Sequence, residues 1–278
     1  MAASRVSELY RTALITGAST GLGRAFAEML LAEGVLVWGT SREATRLAPL
    51  TAIGAGRFTP VALELGDAAA MEQVFRTADQ AAGGFDLVIN NAGFGVFAEF
   101  STPDFVHWQE QLDVMLLRPA QLTQLALRGM RTRRRGAIVN ISSLALEYPL
   151  PFPSAYNMAK AGLSALSETL MLECAGTGIV ILDVRPGDYR TDLDASMRRP
   201  QNDLTPPMRR VWAEFQKLMR SGPPPAHAAD ALRRALLCNR SMTLRTGRFF
   251  QAVLAPLITR LGSLALKRRI QARYYGLD

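Results

Sequence analysis

Cysteine and histidine are both scarce in this 278-residue chain. Two cysteines, Cys174 and Cys238, are too few for a disulfide framework and fit a reducing compartment. Two histidines, His107 and His227, with no CxxC pair, leave no donor set for zinc, so no metal site is expected. No uncharged apolar run reaches 18 residues, which excludes a spanning helix of ordinary length. The opening segment, MAASRVSELYRTALITG, lacks the apolar stretch of a signal peptide, and the expected location is cytoplasmic. Acidic residues are also outnumbered, at a formal charge of +8, but the excess is local. Thr243–Asp278 holds seven Arg/Lys against one acid, so the main body carries only +2 and no nucleic-acid partner is expected.

What the chain does have is 49% hydrophobic residues, enough for a sizeable core. Short apolar runs alternate with helical periodicity. TALITG (12–17), VLVWGT (35–40), FTPVALEL (58–65), FDLVINNAG, AIVNIS (137–142) and GIVILDV (178–184) read as strands. Between them, residues 21–34, AAAMEQVFRTADQAAG, roughly 102–133, and 154–175 read as helices. Continuous apolar strands alternating with helices imply a parallel sheet covered on both faces: a single-domain, doubly wound α/β fold of the Rossmann type, with a helical C-terminal extension. The expected boundaries are 10–242 for the nucleotide-binding catalytic domain and 243–278 for the basic extension. RRPQNDLTPPMRR and SGPPPAH interrupt the alternation and predict a loop-rich lid over about 192–226.

TGASTGLG (16–23) stands where the first strand turns into a helix. Gly17 can make the tight turn, Gly21 lets backbone approach a pyrophosphate, and Gly23 lets the helix pack close to the strand. The helix N-terminus then faces phosphate with its unpaired amides. The same residues also spell G-x-S-x-G, a nucleophile elbow at Ser19. That alternative, a serine hydrolase, needs a later acid and a catalytic histidine. His107 beside Trp108 and His227 in a Pro/Ala loop are poor candidates.

SAYNMAK (154–160) places Tyr156 and Lys160 four apart, on one helix face. TGASTGLG, NNAG (90–93), ISS (141–143), YNMAK (156–160) and RPGDYRTDL (185–193) occur in this order, and over about residues 10–195 the chain resembles a short-chain dehydrogenase/reductase. The resemblance implies that Tyr156 is the general acid/base, that Lys160 lowers its pKa and holds the nicotinamide ribose, and that Ser143 hydrogen-bonds the substrate oxygen. A lysine within about 4–6 Å does favour a phenolate. Ser142, alternating along the strand, should point the other way. The resemblance further implies a nucleotide contact for Gly17, Ser19, Thr20, Gly21, Leu22, Gly23, Glu64, Leu65, Asn91, Ala92, Gly93, Pro186, Gly187 and Thr191, with Asn90 structural. The second strand ends VWGTSRE without an aspartate; Thr40, Ser41 and Arg42 stand there instead. Arginine suits a 2′-phosphate, so the expected cofactor is NADP(H).

One departure stands out. Where the family often carries a water-binding asparagine, LDVMLLRP (112–119) has Met115, and Arg118 replaces a common glycine. Methionine cannot donate an N–H, so a non-catalytic NADP-binding sensor is a second alternative. Leu144, Leu146, Tyr148, Leu150 and Phe152 follow Ser143 and point to a small hydrophobic alcohol or ketone as substrate. The helix before RTRRRG and the helix carrying Tyr156 are rich in Leu, Ala and Met; the resemblance implies that they pair across a two-fold interface, and residues 163–175 are apolar on more than one face, so a homodimer or homotetramer is expected, with the basic tail outside the cofactor site. The tail has apolar residues at 250, 253, 254, 257, 261, 264 and 265, near Arg260, Lys267, Arg268 and Arg273. Its expected role is a helix docked on the domain or a partner subunit, with peripheral contact to anionic lipid as the alternative.

Overall fold

The computed structural model describes residues 4–191, 193, 196–199, 204–254, 256–257 and 263–277. Arg260, Leu261 and parts of the expected lid (192, 194, 195 and 200–203) lie outside them. The main sheet contains β1 (Thr12–Ile15), β2 (Leu36–Ser41), β3 (Phe58–Ala62), β4 (Leu87–Asn90), β6 (Gly136–Ile141), β7 (Ile179–Pro186) and β9 (Met242–Thr246). All pairings are parallel, in the order β3-β2-β1-β4-β6-β7-β9. A separate pair joins β5 (Gly95–Val96) to β8 (Met197–Arg198).

Side chains alternate across the strands, so each strand feeds two cores. Ile15, Ile89, Val139 and Leu182 pack with Phe26 and Leu30 of α2 (Gly21–Ala32) and Leu232 and Leu236 of α9 (Pro225–Cys238). Their neighbours Leu14, Val88, Ile138 and Ile181 face the opposite side. There they meet Phe75 of α4 (Ala68–Ala82), Leu122 of α6 (Arg118–Arg133) and Leu170 of α7 (Ser154–Glu173). Both faces are therefore buried, which is why these strands are apolar throughout. Two shorter helices, α1 (Val6–Leu9) and α3 (Ala48–Gly54), complete the N-terminal half.

Three expectations change. The long helix over 102–133 is divided into α5 (Phe105–Leu112) and α6 by a π-helical turn at Asp113–Leu117. The loop-rich lid contains a 16-residue helix, α8 (Pro206–Ser221), because Met208, Val211, Phe215 and Met219 recur at helical spacing and bury one face. The boundary at 242/243 falls inside β9, a seventh strand that the sequence did not suggest. Its side chains are mostly half-buried, so it carries none of the continuous apolar signal of the central strands. The helical C-terminal extension is present as expected: part of it forms α10 (Leu264–Tyr274), which packs back onto the domain.

Candidate active site

The carboxyl ends of the central strands open into a cavity of about 850 Å³. Every site residue expected from the sequence lines it except Gly23. Gly23 serves packing: a Cβ there would sit 2.2 Å from the Gly17 carbonyl oxygen and 2.4 Å from Asn91 Nδ2. Gly17 turns the chain at φ +68° and Gly21 at φ +56°, both in the left-handed region. The loop is held from two sides. Asn91 Nδ2 donates to the Thr16 and Gly17 carbonyls at 3.0 and 3.2 Å, and Gly17 N donates to Thr40 Oγ1 at 3.3 Å. Thr40 is buried, so its hydroxyl orients the loop. No side chain caps the first turn of α2, whose amides face the cavity. This cradle, closed to any side chain at Gly17 and Gly23, fits a dinucleotide pyrophosphate.

At the end of β2, Arg42 lines the same cavity together with Ser41 and with Arg46, which the sequence reading passed over. Neither arginine makes an ion pair among the described residues. Glu64 Oε1 accepts from Gly66 N at 3.1 Å. Asn90 is structural, donating to Asn140 Oδ1 at 2.8 Å and Thr123 Oγ1 at 2.9 Å.

Ser143, Tyr156 and Lys160 converge on the cavity from β6 and α7, and all three are buried. Lys160 Nζ donates to the Ile141 carbonyl at 2.6 Å and lies 5.7 Å from the Tyr156 ring centroid. Ser143 Oγ accepts from Ala145 N at 3.0 Å. Burial lowers the Lys160 pKa to about 8, against the opposing pull of Asp183. The Tyr156 phenol departs from expectation. Burial raises its pKa, Asp188 adds to the rise, and a hydrogen-bonding interaction with Ser143 only partly offsets them. Desolvation of the phenolate outweighs any help from the lysine, whose own charge is weakened by the same burial. Ser142 points away as expected, with Oγ donating to Asp183 Oδ1 at 2.5 Å. Below it, Arg185 Nε donates to Asp183 at 2.7 Å, so this carboxylate is fully engaged.

Met115 is buried in the π-helical turn, and its methyl carbon fills the space where a Gly93 side chain would begin. Gln111 Nε2 donates to its sulfur at 3.6 Å. Arg118 pairs with Asp113 at 3.9 Å. Of the apolar residues after Ser143, Leu144, Tyr148 and Leu150 line the cavity, while Phe152 meets Phe97 edge-to-face with ring centroids 5.5 Å apart.

The largest surprise is the C-terminal segment. It was expected outside the cofactor site, yet Phe250, Gln251, Ile270, Gln271, Tyr274 and Tyr275 line this cavity. Gln251 Nε2 donates to Asp188 Oδ2 at 2.5 Å and to the Tyr274 hydroxyl at 3.0 Å. Asp188 is thereby clamped, and burial holds its carboxyl above the usual range. No local signal announces these contacts, which join residues 63 and 86 positions apart. Neither histidine lines the cavity; His227 Nδ1 instead pairs with the Tyr189 hydroxyl at 2.8 Å. Ser19 therefore has no histidine base across the site, which removes the hydrolase alternative. The described residues contain no cluster able to hold a metal ion.

Comparison with known proteins agrees with this geometry. Residues 11–202 match the family model for short chain dehydrogenase. The chain is 34% identical over 177 residues to a Haemophilus influenzae protein named a probable NADP-dependent dehydrogenase, covering 63% of this chain and 70% of that one. It is 36% identical over 194 residues to a Myxococcus xanthus oxidoreductase of uncharacterized function, covering 69% and 77%. A Streptomyces avermitilis short-chain dehydrogenase superimposes with a TM-score of 0.83 at 30% identity, covering 97% of this chain and 98% of that one. With the glycine cradle, the three converging side chains and the matched segment all in register, the chain belongs to the short-chain dehydrogenase family and is an oxidoreductase of the NAD(P)-dependent type.

Proposed function

We propose that the protein is an NADP(H)-dependent oxidoreductase acting on an uncharged, hydrophobic secondary alcohol or ketone. The observation that carries this reading is the placement of Ser143, Tyr156 and Lys160 in the same cavity as the glycine cradle and the Arg42/Arg46 pair. Gly17, Gly21 and the α2 amides would hold the pyrophosphate, and the two unpaired guanidiniums would hold a 2′-phosphate by charge-assisted hydrogen bonds. The name of the Haemophilus influenzae relative supports the same choice. Lys160 would bind the ribose, and Pro186, Gly187 and Thr191 would flank the nicotinamide. When bound, the cofactor supplies or takes up a hydride.

The chain's own residues manage the proton. Tyr156, kept neutral by burial, donates its hydroxyl proton to the carbonyl oxygen during reduction and takes one back during oxidation. Ser143 hydrogen-bonds the same oxygen and stabilises the charge that develops there. Arg198, a cation lining the cavity near the substrate end, is already engaged by Glu110 at 2.7 Å and stacked 4.2 Å over Phe94. It offers little to an anionic substrate, whereas Leu144, Leu150, Phe215 and Met219 offer apolar surface. Cys174 and Cys238 are both free, in keeping with a cytoplasmic setting.

The test is a panel of apolar ketones followed at the reduced-nicotinamide absorbance band with NADPH and with NADH. Turnover with NADPH supports the reading. Met115, buried where the proton relay would run, favours the alternative of a cofactor-binding sensor. Tight NADPH binding with no turnover across the panel would establish that alternative instead.

A further inference from the structure

We propose that two described parts of the C-terminal extension, the stretch 249–254 with Leu257 and the helix α10, rest on an anionic lipid surface at the mouth of the cavity. Among the described residues, seven of the fifteen large hydrophobic side chains that stand exposed fall between Phe249 and Leu266. Phe249 is 69% exposed, Leu257 51% and Leu264 61%; Val253, Leu254 and Leu266 accompany them. Such a concentration of exposed apolar side chains along one stretch marks an interaction site, whereas single exposed leucines do not. The other side of α10 is docked. Tyr275 is buried against Phe97 and Phe215, Gln271 Nε2 donates to the Pro149 carbonyl at 2.7 Å, and Arg210 Nε donates to the Gly276 carbonyl at 3.0 Å. The helix is thus held to the domain at its C-terminal end, while Leu264 and Leu266 stand exposed on it.

Charge identifies the occupant. Arg268, Arg269 and Arg273 are exposed on α10 and make no ion pair among the described residues. A second copy meeting this face about a two-fold axis would set like charges against each other. An anionic leaflet accepts both features, burying the apolar side chains and attracting the guanidiniums. No described helix is long and apolar enough to cross a membrane, so the contact is peripheral. Phe250 and Gln251 of the same segment line the cavity, and Gln251 is bonded to Tyr274. The lipid face and the mouth of the site are therefore continuous, an arrangement suited to an apolar substrate dissolved in the bilayer. Lipid docking itself does not depend on the assigned reaction.

Co-sedimentation of the full chain with vesicles tests this. One set is pure phosphatidylcholine; the other contains about a quarter phosphatidylglycerol. The wild type should partition at least about 10-fold more strongly onto the anionic set, and about 0.5 M salt should weaken it. Arg268→Gln/Arg269→Gln/Arg273→Gln should lose about 100-fold on anionic vesicles. Phe249→Ser/Leu257→Ser should lose binding to both sets. NADPH affinity of each variant verifies folding, and because these residues touch no part of the cradle it should match the wild type. Equal sedimentation with and without phosphatidylglycerol, no sedimentation of the wild type, or undiminished binding by both variants overturns the proposal. A mass that halves in the Phe249/Leu257 variant would assign the face to a second copy instead.

Discussion

Lys160 is a side chain that the proposed chemistry requires and the fold resists, and the cost can be worked out. Only 5% of it is exposed, and burial lowers its pKa from 10.5 to about 8. At ~1.4 kcal/mol for each pH unit, that depression amounts to about 3 kcal/mol of destabilisation while the group is protonated in both states. Below pH 8 the folded and unfolded chains both hold the proton, and the whole penalty applies. Between pH 8 and 10.5 the unfolded chain binds a proton that the folded chain has released, so stability rises with pH. Above 10.5 neither holds it and the penalty is gone. Lys160→Met has no such charge to bury, but it gives up the 2.6 Å hydrogen bond from the ammonium to the Ile141 carbonyl, at a cost of about 2 kcal/mol for a charged donor. The variant should therefore be about 1 kcal/mol more stable than wild type at pH 7, and the advantage should vanish or reverse near pH 10.5. Urea unfolding of both proteins without cofactor, at neutral and alkaline pH, measures the difference directly. Parallel stability curves, or a variant less stable at pH 7, would refute the reasoning. The same substitution should abolish most turnover, because it removes the proposed ribose ligand.

Tyr156→Phe keeps the ring and removes the proton, so NADPH binding should persist while turnover falls by ~10²–10⁴-fold or more; comparable steady-state rates would sink the assigned role. Arg42→Ala should weaken NADPH by ~10–100-fold and NADH little, since only the former carries the 2′-phosphate, and fluorescence titration with both cofactors decides it. Turnover should decline as pH rises through about 8, where Lys160 loses its charge, and a flat profile across pH 7–9 would contradict that assignment. We also propose a dimer or dimer of dimers through the helices flanking the site. Leu172 of α7 is 81% exposed and Met158 and Leu117 are half exposed, a face that a two-fold contact would cover. Light scattering giving the mass of one 30.4 kDa chain would exclude it.

Much of this molecule was determined by sequence alone. The alternation of apolar strands and periodic helices dictates a doubly wound sheet, because strands buried on both faces have no other architecture open to them. The glycine loop and the Tyr156/Lys160 pair are equally local, each set by a few residues whose spacing states their geometry. β9 escaped notice because a half-buried edge strand carries no continuous apolar run, and α8 because prolines on either side of it read as loop. The tertiary structure decided the rest. It brought Arg46 into the cavity with Arg42, sealed Asp183 under Ser142, and brought the C-terminal tyrosines into the cavity through Asp188 and Gln251. It also reversed the expected shift of the Tyr156 phenol. Desolvation depends on how many atoms from distant segments close over a group, and no spacing along the chain encodes that number.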